Sequence, residues 1–438
     1  MIMARPQLLF LCQTFPYPPD GGAQIRTYHV LRLLARAFDV TALCFERTRT
    51  CGGASSVAAG RNALGRFAEV EVLPIPQLHS RFRYAWDHVR SVASGHVYTK
   101  YLYESPEFRR RLITLLEARS FDLIHVDSLD LAEYLTHVVG IPVVCVHHDV
   151  EPMLLRRRAA LERRRWRRAY IRHQAGLRER VERTWCPRVA LNVAVSPKDG
   201  ALLKHIAPEA TVDVVPNGVD IDEFHPDDET GDGVAFVGGT TPFPNVDALS
   251  YFCQEILPHI ARRRPGLRAT WIGRASAQEQ QHYRERYGVA LTGYVEDVRP
   301  SMRAAACHIV PIRVGGGTRL KILNAWAMGK PVVSTSVGCE GLAAIDGKNI
   351  LIRDDPRDFA HAVAAVLDDE SLRRRLGAAG RALVEQRYSW DVIGADLIET
   401  YQTLAGGGGL RRSRPVRLIS RAPWSAVSEA LRQPRGEQ

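Results

Sequence analysis

The chain alternates short apolar runs with segments whose apolar residues recur at helical spacing. In the first half the runs are Leu8–Cys12, Val40–Phe45, Val70–Ile75, Leu123–Val126, Pro142–Val146 and Val189–Val195, all of strand length. Between them, Thr27–Ala37 and Phe108–Ala118 place apolar residues on one helical face. The second half repeats the scheme. Strands are predicted at Val234–Val237, Ala269–Ile272, His308–Ile312, Pro331–Thr335 and Ile350–Arg353, and helices at Val246–Arg262, Arg319–Met328 and Phe359–Leu367. Strands joined through helices pair in parallel, so each half is expected to form an open, doubly wound α/β sheet. Pro216–Asp220 and the polar stretch Asp227–Gly233 read as a hinge between the halves. A last amphipathic helix is predicted from Tyr388 to Leu404, followed by the glycine run Gly406–Gly409 and a basic tail expected to be disordered.

Length agrees with this division: 438 residues exceed the roughly 250 to 300 at which a single core stops growing. No apolar run approaches the roughly 18 to 20 residues of a membrane-spanning helix. Leu8–Cys12 is too short for a secretory signal and is followed at once by Gln13 and Pro16, so a cytoplasmic location is expected. The eight cysteines are scattered, without a C-x-x-C pair or a Cys/His cluster, so they are expected to be reduced and structural, with no metal site.

The formal charge of +11 is concentrated in two places. Leu154–Arg188 holds thirteen arginines against three glutamates, and the tail 406–438 seven against two. Residues 154–185, with Trp166, Tyr170, His173, Leu177, Val181 and Trp185 near helical spacing, read in two ways. One is a basic amphipathic helix making peripheral contact with an anionic membrane; the other is a core-packed helix with a solvated basic face. No nucleic-acid-binding motif accompanies the charge.

Candidate chemistry lies in loops at strand ends, where open α/β sheets collect ligands. Pro18-Pro19-Asp20-Gly21-Gly22-Ala23 opens the helix carrying Arg26 and is either a site for close backbone approach to an anion or a tight connection. Val314-Gly315-Gly316-Gly317-Thr318-Arg319-Leu320-Lys321 offers exposed amides, a helix start, a hydroxyl and two cations, the set a diphosphate requires. It has neither P-loop nor dinucleotide G-x-G-x-x-G spacing. Arg274 ends one strand and either reaches the same crevice or lies on the surface. The turn Gly293–Asp297 offers Tyr294 and Val295 to a nucleobase, or Asp297 as a helix cap. His147 and His148 follow the strand Pro142–Val146; adjacent positions point to opposite faces, so they are not a metal pair, and one can face the cleft.

Taken together, these residues resemble glycosyltransferase family 4, retaining enzymes of GT-B architecture. The resemblance covers roughly residues 7 to 404. It rests on P-Y-P-P-D-G-G-A-Q-I-R at 16–26, H-D-V-E-P-M-L-L-R-R at 148–157, V-P-N-G-V-D at 215–220, F-V-G-G-T-T-P-F-P-N-V-D-A at 236–248, T-G-Y-V-E-D-V at 292–298 and the stretch from Gly315 to Val333. Exopolysaccharide sugar transferases are the nearest likeness. The resemblance implies two facing Rossmann-like domains: 1–215 on the acceptor side, 216–388 on the nucleotide-sugar side, with a crossover helix at 389–405. It implies an NDP-sugar donor, a lipid-linked or growing glycan acceptor, no metal and no cofactor. His148 would approach the transferred sugar, with Lys321 and Arg274 completing the catalytic set. Gly315, Gly316, Gly317, Thr318 and Arg319 would surround the phosphates, Gly21 and Gly22 would lie near the donor phosphate or the acceptor, Tyr294 and Val295 would border the base, and Asn324 the ribose. The family commonly has glutamate where this chain has Gly316 and Asn324. That departure motivates a second reading, a catalytically impaired sugar-nucleotide-binding partner of an active transferase.

Overall fold

A computed structural model describes residues 5–46, 54–227 and 231–407. It contains two all-parallel sheets. The first is seven-stranded: β1 (Gln7–Cys12), β2 (Asp39–Glu46), β3 (Glu69–Pro74), β4 (Leu123–Val126), β5 (Val143–His147), β6 (Leu191–Ala194) and β7 (Val212–Val214) lie in the order β3-β2-β1-β4-β5-β6-β7. The second is six-stranded: β8 (Val234–Val237), β9 (Ala269–Ile272), β10 (Val289–Leu291), β11 (Cys307–Val310), β12 (Val332–Ser334) and β13 (Leu351–Ile352) lie in the order β10-β9-β8-β11-β12-β13. Phe10 pairs with Ala42 on one side and His125 on the other. The predicted α/β class is therefore what forms. The strand order reverses beside β1 and again beside β8, which opens a crevice at the carboxyl ends of each sheet.

The chain crosses between the sheets twice, and the crossings touch. Val219 donates its N–H to Tyr388 O at 2.8 Å, and Trp390 donates to Val219 O at 3.3 Å. Gly218 has no side chain because a Cβ there would stand 2.6 Å from the Trp390 ring. The helix Trp390–Ala405 then returns to the first sheet. Its Trp390, Ile393, Leu397, Tyr401 and Leu404 join Phe10, Leu33 and Phe38 in one buried cluster.

One expectation needs correction. The basic segment is not a single amphipathic helix over 154–185. It is a pair of packed helices, Glu151–Leu161 and Arg165–Trp185, broken at Glu162–Arg164. The second helix buries Ile171, Gln174, Ala175, Leu177, Arg178 and Glu182, while Trp166 and His173 are exposed, so the buried face is rotated from the stripe read from the sequence. The second helix is therefore packed against the core through that face. The described cysteines are buried and free. Cys51 and the tail from 408 lie outside the described residues. Among the described residues no helix is long and apolar enough to cross a membrane.

Candidate functional site

On the first sheet the site begins at the ends of β4 and β5. Asp127, buried just past β4, accepts from Thr27 Oγ1 at 2.8 Å and from His148 Nε2 at 3.1 Å, with His125 Nε2 3.8 Å away. Burial alone would push the Asp127 carboxyl up; the combined charges and hydrogen bonds of the two histidines outweigh it and hold the group below its ordinary range. The ionised carboxylate keeps the proton of His148 on Nε2, which fixes the ring's tautomer and orientation. His125 continues the network by sharing a 2.8 Å hydrogen bond with Tyr401 of the returning helix. His147 points the other way. It is buried against Asn192 Oδ1 at 3.0 Å, and burial lowers its imidazole to about 4.

The same wall contains a cavity of about 260 Å³ floored by Val146, His147, His148 and Asp149. Gln13, Thr99, Ser128 and the Arg178–Asp130–Glu151 ion pairs also line it, the pairs at 2.7 and 2.9 Å. Gln13 Oε1 and Thr99 Oγ1 are buried there without hydrogen-bond partners. Such polar lining suits a ligand rich in hydroxyl groups.

Opposite, the triple-glycine loop opens the helix Leu320–Ala327. Arg319 is buried and curls back beneath its own loop. It donates to Gly316 O and, at 3.0 Å, to Gly317 O, while its Nη2 has no partner. Lys321 donates to Asn245 Oδ1 at 3.0 Å and lies 3.7 Å from the Phe236 ring centre. Burial, aided by Arg319, pushes the Lys321 ammonium well below its usual range. Among the described residues neither cation forms an ion pair. Thr318 Oγ1 accepts from Asn217 Nδ2 at 2.7 Å, and Asn217 Oδ1 in turn accepts from the buried Arg26 at 2.9 Å. Arg26 also donates to Val215 O and Pro216 O, so the first helix, the hinge and the glycine loop are tied in series.

The two walls meet. A Cβ on Gly316 would stand 2.7 Å from Asp149 Oδ1, and one on Gly317, whose φ is +62°, 2.4 Å from His148 O. Only glycine permits this approach. Burial against the loop raises the Asp149 carboxyl to about 6, despite the Arg319 charge nearby. Gly21, the N-cap of the first helix, and Gly22 lie at the same seam, and a Cβ on Gly22 would be 3.8 Å from Leu320 Cδ1. Arg274 crosses the seam to Asp20 at 2.5 Å and stacks 4.6 Å from the Tyr294 ring centre, while Val295 packs on the second core. Asp297 caps the next turn by accepting from Arg299 N at 2.9 Å. Arg157 clamps the seam from the first wall, donating to Gly315 O at 2.6 Å and, through both Nη atoms, to Glu340 at 2.6 and 2.9 Å. Asn324 is half-buried one turn into the helix and its amide makes no hydrogen bond among the described residues.

The structure thus gathers His148, Gly21, Gly22, Gly315, Gly316, Gly317, Thr318, Arg319 and Lys321 at one seam. Arg274, Tyr294 and Val295 stand along its β9–β10 side. Sequence reasoning had not singled out Asp127, Asp149, Arg157 or Glu340. Asp127 was open to discovery by the strand-end rule that flagged His148, since it directly follows the strand Leu123–Val126. Among the described residues no group of three or more His, Cys, Asp or Glu side chains could hold a metal ion.

Residues 20–223 match the family model Glycosyltransferase Family 4, and residues 231–369 match Glycosyl transferases group 1. Phosphatidyl-myo-inositol mannosyltransferase of Mycobacterium tuberculosis (strain ATCC 25618 / H37Rv) is 29% identical over 213 residues, 44% of this chain and 54% of that protein. D-inositol 3-phosphate glycosyltransferase of Segniliparus rotundus is 30% identical over 230 residues, 47% of this chain and 50% of that protein. The chain spans about half the length of these curated relatives. Among solved structures, Anabaena HepE in complex with UDP and glucose superimposes with a TM-score of 0.63 at 16% identity, over 91% of this chain and all (100%) of that one. Sucrose-phosphate synthase from Thermosynechococcus elongatus gives 0.67 at 16% identity, over 92% and 100%. At that identity the likeness is one of fold, and the fold is GT-B.

Proposed function

The chain belongs to the family 4 glycosyltransferases, and from that membership we propose that it transfers a sugar, with retention, from a nucleoside diphosphate sugar to a lipid-linked or growing glycan acceptor. Exopolysaccharide or cell-surface polysaccharide synthesis is the role that fits. The observation that carries the reading is the pair of buried Arg319 and half-buried Lys321 beside a glycine loop, neither in an ion pair among the described residues. A cation drawn out of water without an ion pair is costly, and a diphosphate would supply the partner.

In this reading the diphosphate lies over the amides of Gly316, Gly317 and Thr318 at the start of the helix Leu320–Ala327, whose dipole favours it. Lys321 and Arg319 hold its charge, and Arg274 exchanges Asp20 for the anion. The base lies by Tyr294 and Val295, and the ribose by Asn324. Gly21 and Gly22 bring the first helix's amides to the distal phosphate. The acceptor occupies the cavity below His148, whose hydroxyl-seeking lining suits a polyol; the curated relatives' names pair glycosyl transfer with an inositol lipid or inositol phosphate. The acceptor oxygen bonds to the anomeric carbon as the bond from that carbon to phosphate breaks on the same face. The acceptor's proton passes to the departing diphosphate oxygen. His148, held by Asp127, hydrogen-bonds the sugar as charge develops.

The test incubates the protein with UDP-, GDP- and ADP-sugars and follows donor breakdown, for wild type and Asn324→Glu. Turnover of one donor supports the transferase. Binding without turnover, even in Asn324→Glu, would favour the impaired-partner reading.

A further inference from the structure

Helix Arg81–Ser94 is packed inside out. Its ends are well defined: Ser80 Oγ accepts from Arg83 N at 3.2 Å, and Gly95 closes it at a φ of +67°. The face turned toward the protein is polar. Asp87 is 1% exposed and accepts from Gln77 Nε2 at 2.7 Å, with Arg83 Nε 3.6 Å away. Ser91 is fully buried, donating to His96 O at 2.7 Å and accepting from Gln174 at 2.8 Å. The face turned outward is apolar. Phe82 is 80% exposed, Trp86 54% and Val89 58%, and Val92 continues the same stripe at helical spacing. Scattered exposed apolar residues are ordinary; a continuous stripe opposite a buried polar one is not.

A second group adjoins it. His88 Nδ1 meets Tyr170 OH at 2.6 Å and Ser91 meets Gln174, so this helix runs parallel to Arg165–Trp185. Trp166, one turn before Tyr170, therefore stands beside the first turns of Arg81–Ser94, and it is 66% exposed. It sits within Arg163-Arg164-Arg165-Trp166-Arg167, all five exposed at the break between the two basic helices.

We propose that the outward face of Arg81–Ser94, with Trp166 and its flanking arginines, is a bilayer-docking surface for anionic lipid. Phe82, Trp86 and Val89 enter the acyl boundary, and Arg163, Arg164, Arg165 and Arg167 meet the lipid phosphates. The charge pattern selects this occupant. A second copy seated on the same patch would bring one arginine cluster up to another, since a two-fold contact repeats the same surface. The chain's own tail, with seven arginines against two glutamates, carries the same sign. An anionic membrane is complementary to both parts. This placement keeps Trp166 and four arginines of 154–185 and adds the main apolar anchor from a helix outside that segment. The inference rests on the surface alone and stands independently of donor chemistry.

The experiment is vesicle co-sedimentation of the full chain with phosphatidylcholine alone or mixed with about one third phosphatidylglycerol. Wild type should sediment with the anionic vesicles, far less with the neutral ones, and less as salt rises. The variant Phe82→Ser/Trp86→Ser/Val89→Ser should lose about tenfold or more in vesicle partition. Because those side chains are exposed, its melting temperature and nucleotide affinity should match wild type. Changing Arg163, Arg164, Arg165 and Arg167 to Gln should abolish the preference for anionic over neutral lipid. Wild type left in the supernatant, or the apolar variant binding as well as wild type, would overturn the assignment. So would a wild-type dimer that ignores vesicles and that the apolar variant renders monomeric.

Discussion

On the first-domain wall of the cleft the buried charges answer one another: Asp127 has His148, His125 and Thr27, and Arg178 has Asp130 and Glu151. On the second-domain wall Lys321 and Arg319 make no ion pair among the described residues: they donate to carbonyls and an amide oxygen, the lysine lies by an aromatic ring, and Asp149 across the seam acts on Arg319 through its charge alone. A self-satisfied network is rigid and holds a side chain such as His148 in one orientation. A wall whose cations lack direct ion pairs gains from an incoming anion. The difference divides the labour: the first wall positions, and the second binds.

The comparison can be broken at its strongest point. His148→Ala should lower turnover ~10²- to 10³-fold with nucleotide affinity nearly unchanged. Steady-state kinetics beside equilibrium titration would check this, and wild-type turnover would remove His148 from the reaction. Its support should show in stability. Since the Asp127 carboxyl is held below its ordinary range, its contribution is present above the unfolded value near 4 and is lost as pH falls toward the folded value. Asp127→Asn should therefore melt below wild type at neutral pH, by about 1 to 3 kcal/mol in unfolding free energy. The gap should close in acid.

The contact between the walls can be tested next. Gly316→Ala places a Cβ against Asp149 Oδ1 and should lower turnover about tenfold by holding the seam open. Adding Asp149→Ala should restore part of it, which rates of the double variant would reveal. The smallest effect concerns Asp149 alone. Its folded value of about 6 lies above the unfolded one near 4, so its ionisation costs stability as pH rises between them, and the full cost persists above. Asp149→Asn should melt a few degrees above wild type at about pH 8 and level with it at about pH 4. Thermal melts at the two pH values decide it.

Much of this was open to reading from the chain. Apolar runs four to seven residues long separated by helical patterns announce parallel sheets, and eleven such runs became strands. β7 and β10 escaped because three residues, with Asp213 or Ala290 between flanking hydrophobics, carry no period. Loops at strand ends were legible as chemistry; their partners were not, because Thr27–Asp127 and Arg157–Glu340 join residues a hundred or more positions apart. Nothing in the sequence marks Arg26 as buried, since arginine is mostly exposed, yet it is buried on three hinge acceptors. In Arg81–Ser94, periodicity can reveal two faces but not which of them the fold turns inward.

The most direct test of the division of labour is calorimetric titration of UDP, GDP and ADP into wild type and Lys321→Met, near about pH 8 and in two buffers of different ionisation enthalpy. Burial holds the empty-site lysine below its usual range, and a diphosphate would raise it again. Wild type should therefore take up protons on binding one nucleotide. Lys321→Met should bind about 10- to 100-fold more weakly, without that uptake. Equal affinity in the two proteins, or unchanged proton uptake, would contradict the claim that the second wall keeps its cations for a diphosphate.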